Sequence, residues 1–290
     1  MTVASAIEAE QQLSASQEVI TTSIGIPARP AILVSLQDEI AKEDSDFGKI
    51  GRLVSGDVAL TVSALRIVNS PAYALSRRCE TADDAIRMLG LKTLNSIVTS
   101  LMLRNVVGGD GLQLTRFWDV TSKRTHAMKR LAREMQGVDV DTAQSFGLFC
   151  DVGIPLLMRR FPTYRQTLAA CNAETSRSFT EVEQATHHTD HALIGAMMAR
   201  SWGVEPLLCQ AIRLHHDYAI FQDPKVPDVV ARLIAMGLLA EIAIQRFAGQ
   251  NTSAEWHKGG DQATGVLLLS DQDVDDWIER LSGDFALGLG

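Results

Sequence analysis

The sequence predicts an all-α protein, and three observations lead there. Apolar residues recur at helical spacing along nearly the whole chain, as in Ile32, Leu33, Leu36 and Ile40 or Val274, Trp277, Ile278 and Leu281. Cap and stop residues such as Asp57, Gly56 and Asp190 punctuate those stretches. No run of strict alternation bounded by hairpin turns occurs anywhere. Hydrophobic residues make up 46% and charged residues 21% of 290 positions, a balance that can bury a sizeable core.

Residues 1–24, rich in Ser, Thr, Gln, Glu and Ala, read as a leader, either a frayed helix or a disordered segment. Order is expected from Ile26-Pro27-Ala28-Arg29-Pro30, where Pro30 can open a helix over Ala31–Ala41. Asp44-Ser45-Asp46 caps a second helix carrying Phe47, Ile50, Leu53 and Val54, and Asp57 caps a third over Val58–Val68. Asn69-Ser70-Pro71-Ala72-Tyr73 breaks the pattern. Thr81-Ala82-Asp83-Asp84 then starts a helix that halts at Gly90 and is followed by Leu91–Val107.

Gly108-Gly109-Asp110-Gly111 reads as a loop between two helical subregions, residues 25–108 and 112–290. Beyond it a long helix begins near Leu114. Thr180 to Glu183 opens another, and Thr189-Asp190 starts the one that carries His191. Val229–Phe247 reads as a core helix and Asp273–Leu281 as a terminal one, with Lys258-Gly259-Gly260-Asp261 read as a loop.

A net charge of −8 and an aromatic content of 6% argue against a nucleic-acid partner. Four scattered cysteines without a CxxC pair fit reduced thiols and a cytoplasmic location. No signal peptide and no membrane span are expected. Phosphate loops, nucleophile elbows and dinucleotide fingerprints are absent from the sequence.

Five of the seven histidines fall between positions 187 and 216. His191 at the start of one helix and His215-His216 at the end of the next would meet if those helices run antiparallel, and Asp151 could join them. That arrangement reads either as a metal or anion pocket or as packed histidines satisfied at helix ends. His187 and His191 are four apart, but the helix start at Thr189-Asp190 between them separates their faces.

The segments Leu53-Val54-Ser55-Gly56-Asp57, Leu65-Arg66-Ile67-Val68-Asn69-Ser70-Pro71 and Ala85 to Leu94 resemble the N-terminal signature of the HDOD family. Phe117-Trp118, Gly147 to Gly153, and Glu183, His191, Gly195, Trp202 and His215-His216 are similar to its later blocks. The resemblance implies an all-helical HDOD bundle, distantly related to the HD metal-dependent phosphohydrolases, and a chain that is this module alone. Members with full HD chemistry place a first ligand histidine where this chain has Val120 and Thr121, and a His-Asp dyad where it has Cys150 and Asp151. His126 does not match a ligand position. Cys150 reads as a small buried hydrophobe.

The expectation is therefore no catalytic residue, no cofactor and no bound metal, with Cys150, Asp151, His191, His215 and His216 forming the remnant of a site. The resemblance implies a regulatory role through protein contact with a sensor kinase, a response regulator or a second-messenger enzyme, and a homodimer is compatible with it. The alternatives are a divergent metal-dependent nucleotide phosphohydrolase and a small-ligand sensor that uses the histidine pocket without chemistry.

Overall fold

The computed structural model describes residues 23–70, 75, 77–108 and 113–289, and among these every regular element is helical. The expected leader up to residue 22, the break at Pro71-Ala72-Tyr73 and the loop centre at Gly109 to Gly111 lie outside the described residues. Two compact units are present: Ala28–Gly111, and the chain up to Pro27 together with everything from Leu112 onward.

The unit Ala28–Gly111 contains α1 (Ala31–Ile40), α2 (Phe47–Ser55), α3 (Val58–Val68) and α4 (Ala82–Val107). Asp46, Asp57 and Thr81 cap α2, α3 and α4, each side chain accepting from the backbone N–H three residues on. The expected halt at Gly90 is a kink within α4, where φ of 75° suits glycine alone. Ala64 and Val68 of α3 pack on Ala85, Leu89 and Ile97 of α4. Asn69 closes the break after α3 by accepting the Cys79 N–H and donating to the Cys79 carbonyl, at 2.8 and 2.9 Å.

One buried charge joins α1 to α2. Glu39, 2% exposed, lies 2.7 Å from both Lys42 and Lys49 and accepts the Asp46 N–H at 3.2 Å. Hydrogen bonds from Lys42 and Lys49 pull its carboxyl down to about 2.

The other unit contains α5 (Thr115–Glu134), α6 (Val140–Phe149), α7 (Gly153–Arg160), α8 (Tyr164–Ala173), α9 (Phe179–His187), α10 (His191–Ser201) and α11 (Pro206–Leu214). A 3₁₀ turn (Tyr218–Gln222), α12 (Asp228–Phe247), α13 (Ala254–Leu267) and α14 (Asp271–Ala286) complete it. The apolar α12 is its central rod: Val230, Leu233, Ile234, Leu239 and Ala243 are fully or almost fully buried, and α5, α11, α13 and α14 pack around it. Residues just after the expected leader belong here, and the leader's last residue is itself packed. Ile24 is buried, and Arg160 and Trp202 donate to the Ser23 and Pro27 carbonyls.

The predicted loop at Lys258 to Asp261 is wrong, because these residues lie inside α13. Gly259 and Gly260 serve close packing instead of a turn. A Cβ on Gly259 would sit 2.6 Å from the Tyr218 ring, and one on Gly260 would sit 2.8 Å from the Trp256 indole. No helix among the described residues is long and apolar enough to cross a membrane.

Glu39 supplies a pH test. Its carboxyl titrates lower when folded than the ordinary 4.5, so its contribution is full above that value and fades as pH falls toward about 2. Glu39→Gln should therefore melt below wild type at pH 7, and the gap should shrink between pH 4.5 and 2 when thermal midpoints are followed against pH.

Candidate functional site

Four helix ends bring the site together. Asp190 caps α10 by accepting the Leu193 N–H, which sets His191 at the first position of that helix. His215 and His216 follow the last turn of α11, and Asp151 lies in the tight turn joining α6 to α7. Gly153 makes this approach possible, since a Cβ there would fall 2.1 Å from the His191 carbonyl oxygen. Its φ is not positive, so it serves as a point of backbone contact and not as the helix stop that its type suggests. Gly147 plays the same part between α6 and α5, where a Cβ would meet Thr125 Cα at 2.8 Å.

Each imidazole has its Nδ1 engaged. The Nδ1 proton of His191 goes to Glu183 Oε2 at 2.7 Å, that of His215 to the Ile212 carbonyl at 2.6 Å, and that of His216 to Glu255 Oε2 at 2.7 Å. These partners leave every Nε2 available as a lone-pair donor, and those of His191 and His215 face each other. His191 Nε2 and His215 Nε2 are 3.2 Å apart, and they lie 3.7 and 3.4 Å from Asp151 Oδ1. With His216 the four donor atoms fall within 4.8 Å of one another. Phe179 stacks on His216 at 4.7 Å and meets His191 edge-on at 5.2 Å, which holds both rings in plane.

The surroundings are heavily ionic. Arg124, 6% exposed, pairs with Asp151 Oδ2 at 2.6 Å. Burial would raise the Asp151 carboxyl, but Arg124 and then the nearby histidines outweigh it and hold it well below the usual range. Tyr164 donates to Glu183, and Lys258 pairs with Glu255. Burial and the positive field of His215 push His216 down to about 4, which keeps it neutral despite Glu255. For His191 and His215 burial is outweighed, chiefly by Glu183 for the former and by Cys150 and Asp151 for the latter, so both titrate upward. Two inward Nε2 protons would collide at 3.2 Å, so this pair can share one proton but not hold two.

Three carboxylates, Asp151, Glu183 and Glu255, thus face two permanent cations, Arg124 and Lys258. A shared proton or a bound cation supplies the balance. The spacing of three of the donors, on His191, His215 and Asp151, suits a cation. A zinc-class ion with N and O ligands at about 2.0–2.2 Å in a tetrahedron has donor-to-donor edges of roughly 3.3–3.6 Å. The observed edges of 3.2, 3.4 and 3.7 Å bracket that spacing.

Asp151, His191, His215 and His216 from the sequence reading therefore converge, while Cys150 is buried beside them outside the donor group. Thr121 is buried and returns its hydroxyl to the Phe117 carbonyl, and His126 engages Asp284 at 3.0 Å. His187 ends α9 stacked on Phe161 at 4.5 Å, away from the face of His191. Sequence reasoning missed Arg124, Tyr164, Tyr218, Glu255 and Lys258. Glu255 and Lys258 were hidden by the mistaken loop in α13. The Ser253 cap, which accepts the Trp256 N–H, was the signal available for that helix.

Fold and centre together define an all-helical module, among the described residues, with a histidine–carboxylate cluster at its centre. The HDOD domain profile matches residues 26–218, and the chain belongs to the HDOD family. It is 25% identical over 227 residues to an uncharacterized protein of Treponema pallidum (strain Nichols), covering 78% of this chain and 43% of that one. The chain thus spans less than half the length of that relative. Among solved structures it is similar to an HDOD domain protein of unknown function from Geobacter sulfurreducens, with a TM-score of 0.65, 20% identity and 96% of both chains covered. A Shewanella amazonensis SB2B protein provisionally named a phosphohydrolase superposes with a TM-score of 0.67 at 22% identity, covering 93% of this chain and 95% of that one. These likenesses are of fold.

The close approach at Gly153 yields a contrast between two alanine substitutions. Gly153→Ala meets unyielding backbone and should cost about 1–3 kcal/mol or more. Gly265→Ala, inside α13 with open space around it, should stabilise by up to about 1 kcal/mol. Thermal melts of the two variants beside wild type read both signs.

Proposed function

We propose that this chain is a non-enzymatic signal-transduction module whose HD-type centre holds one divalent cation as a structural tie and turns over no phosphoester. The observation that carries this reading is the donor set itself. Asp151, His191, His215 and His216 are four protein groups whose donor atoms lie within 4.8 Å of one another. Four protein ligands make a closed, structural site, whereas catalytic zinc sites use three and keep a position for water. The groups that would widen the site into a phosphohydrolase centre are replaced by Val120, Thr121 and Cys150.

This reading adds a cation to what the sequence suggested. The expectation of no metal rested on the missing histidines, and the retained groups form a donor set without them. A bound divalent ion would neutralise the excess carboxylate charge and cross-link the α6–α7 turn, α10 and the end of α11. Asp151 would bind through Oδ1 while Arg124 holds Oδ2, and the three imidazoles would bind through Nε2. Output then comes from helical surfaces that contact a signalling protein, the partner class that HDOD membership suggests.

Elemental analysis of the purified full chain, with a phosphodiesterase assay on bis(p-nitrophenyl) phosphate and cyclic dinucleotides, tests both parts. About one zinc-class ion per chain and no turnover is the expected result. Metal-dependent turnover abolished by Asp151→Ala would sink the non-enzymatic reading, and failure to take up any divalent ion would sink the cation.

A further inference from the structure

Two of the three imidazoles are held by the same construction. His191 donates to Glu183, which also accepts the Tyr164 hydroxyl; His216 donates to Glu255, which also accepts the Tyr218 hydroxyl at 2.6 Å. The first Tyr–Glu–His chain lies wholly within residues 26–218, where the family profile matches. In the second, Glu255 belongs to α13, beyond that match.

We propose that Glu255 is a positioning residue for cation binding through His216, so that α13 determines how tightly the His191–His215–His216–Asp151 centre holds a divalent ion of the zinc class. The proposal rests on the cation reading above and concerns a group that does not itself touch the ion. Both Glu255 oxygens are occupied: Oε2 receives His216 Nδ1 and Tyr218, and Oε1 faces Lys258. The carboxylate is 3% exposed and cannot swing away. Phe179, stacked on His216 with an interplanar angle of 16°, blocks the ring from turning to find another acceptor. His216 is thereby held as the tautomer with its proton on Nδ1 and its lone pair on Nε2, the form a metal ligand needs.

Helix α13 has docking contacts besides this ion cluster. Ser253 caps it, and Ala263 packs with Ala235 and Leu238 in an apolar cluster flanked by Tyr218, Phe221 and Trp256. A buried ionic group is a poor source of stability compared with apolar packing. The placement of Glu255 is therefore better explained by what it does to His216.

The test strips metal from wild type, Glu255→Gln and Glu255→Asp with a chelator, then measures Zn²⁺ affinity by competition, the Co²⁺ absorption spectrum and the melt of the metal-free form. The expected result is about 10–100-fold weaker Zn²⁺ binding in Glu255→Gln, with an altered Co²⁺ spectrum, and a loss of affinity larger than the lower metal-free melt left by the unpaired Lys258 accounts for. Glu255→Asp, which keeps the charge but withdraws it by one methylene, should lie between the two and stands in if the glutamine variant does not fold. Wild-type affinity and spectrum in the folded variants would overturn the role of Glu255 while leaving the cation reading intact, as would weaker binding fully accounted for by a destabilised metal-free form. Wild type that binds no divalent ion would instead overturn the cation reading itself, and this proposal with it.

Discussion

The structure of the larger unit turns on two buried carboxylates gripping imidazole Nδ1 protons. Glu183 and Glu255 each sit where water hardly reaches, and each accepts from one histidine and one tyrosine, Glu183 through separate oxygens and Glu255 through Oε2 alone. A carboxylate left alone at such depth would be far costlier than either hydrogen bond could offset. Glu183 therefore needs the start of α10, and Glu255 needs the residues just after α11. The Gly153 contact with the His191 carbonyl and the Asp190 cap then fix the approach of those ends to within the width of a methyl group.

Charge explains why the centre is more than packed histidines. Carboxylates outnumber the fixed cations, and the deficit lies where His191, His215 and Asp151 face one another. Burial pushes the carboxyl of nearby Glu241 on α12 up to about 7 against the pull of Arg124, so it adds less negative charge than an ordinary glutamate. A proton shared between His191 and His215 neutralises the remainder in the simplest way. A divalent ion would exceed that remainder by one charge, but it would also use the His216 lone pair that a single proton leaves unpaired.

Much of this was legible in the sequence. Caps at Asp57 and Asp190 and the apolar stripe of α12 locate helices because they act within a few residues. The antiparallel relation of α10 and α11 follows from their short connection, so the meeting of His191 with His215 and His216 could be anticipated. The supporting shell could not. Arg124 reaches Asp151 from α5, Tyr164 reaches Glu183 from α8, and Glu255 reaches His216 across 39 residues. No local pattern encodes such pairs. The Gly259-Gly260 pair misled because glycine marks turns and tight helix contacts alike, and only the Tyr218 and Trp256 rings decide between them.

Thr121 and Cys150 differ from the coupled network in how much depends on them. Thr121 satisfies its hydroxyl on the Phe117 carbonyl, and Cys150 fills buried volume at the end of α6, so neither leaves a defect. Removing Asp151, Glu183 or Glu255 would instead strand a buried charge, because Arg124, the imidazoles and Lys258 would each lose a partner. Substitution at the isolated ligand positions is therefore cheap, and substitution inside the coupled network is expensive. That asymmetry places the constraint of the centre on Asp151, His191, His215 and His216 and their carboxylate partners, and not on positions 121 and 150.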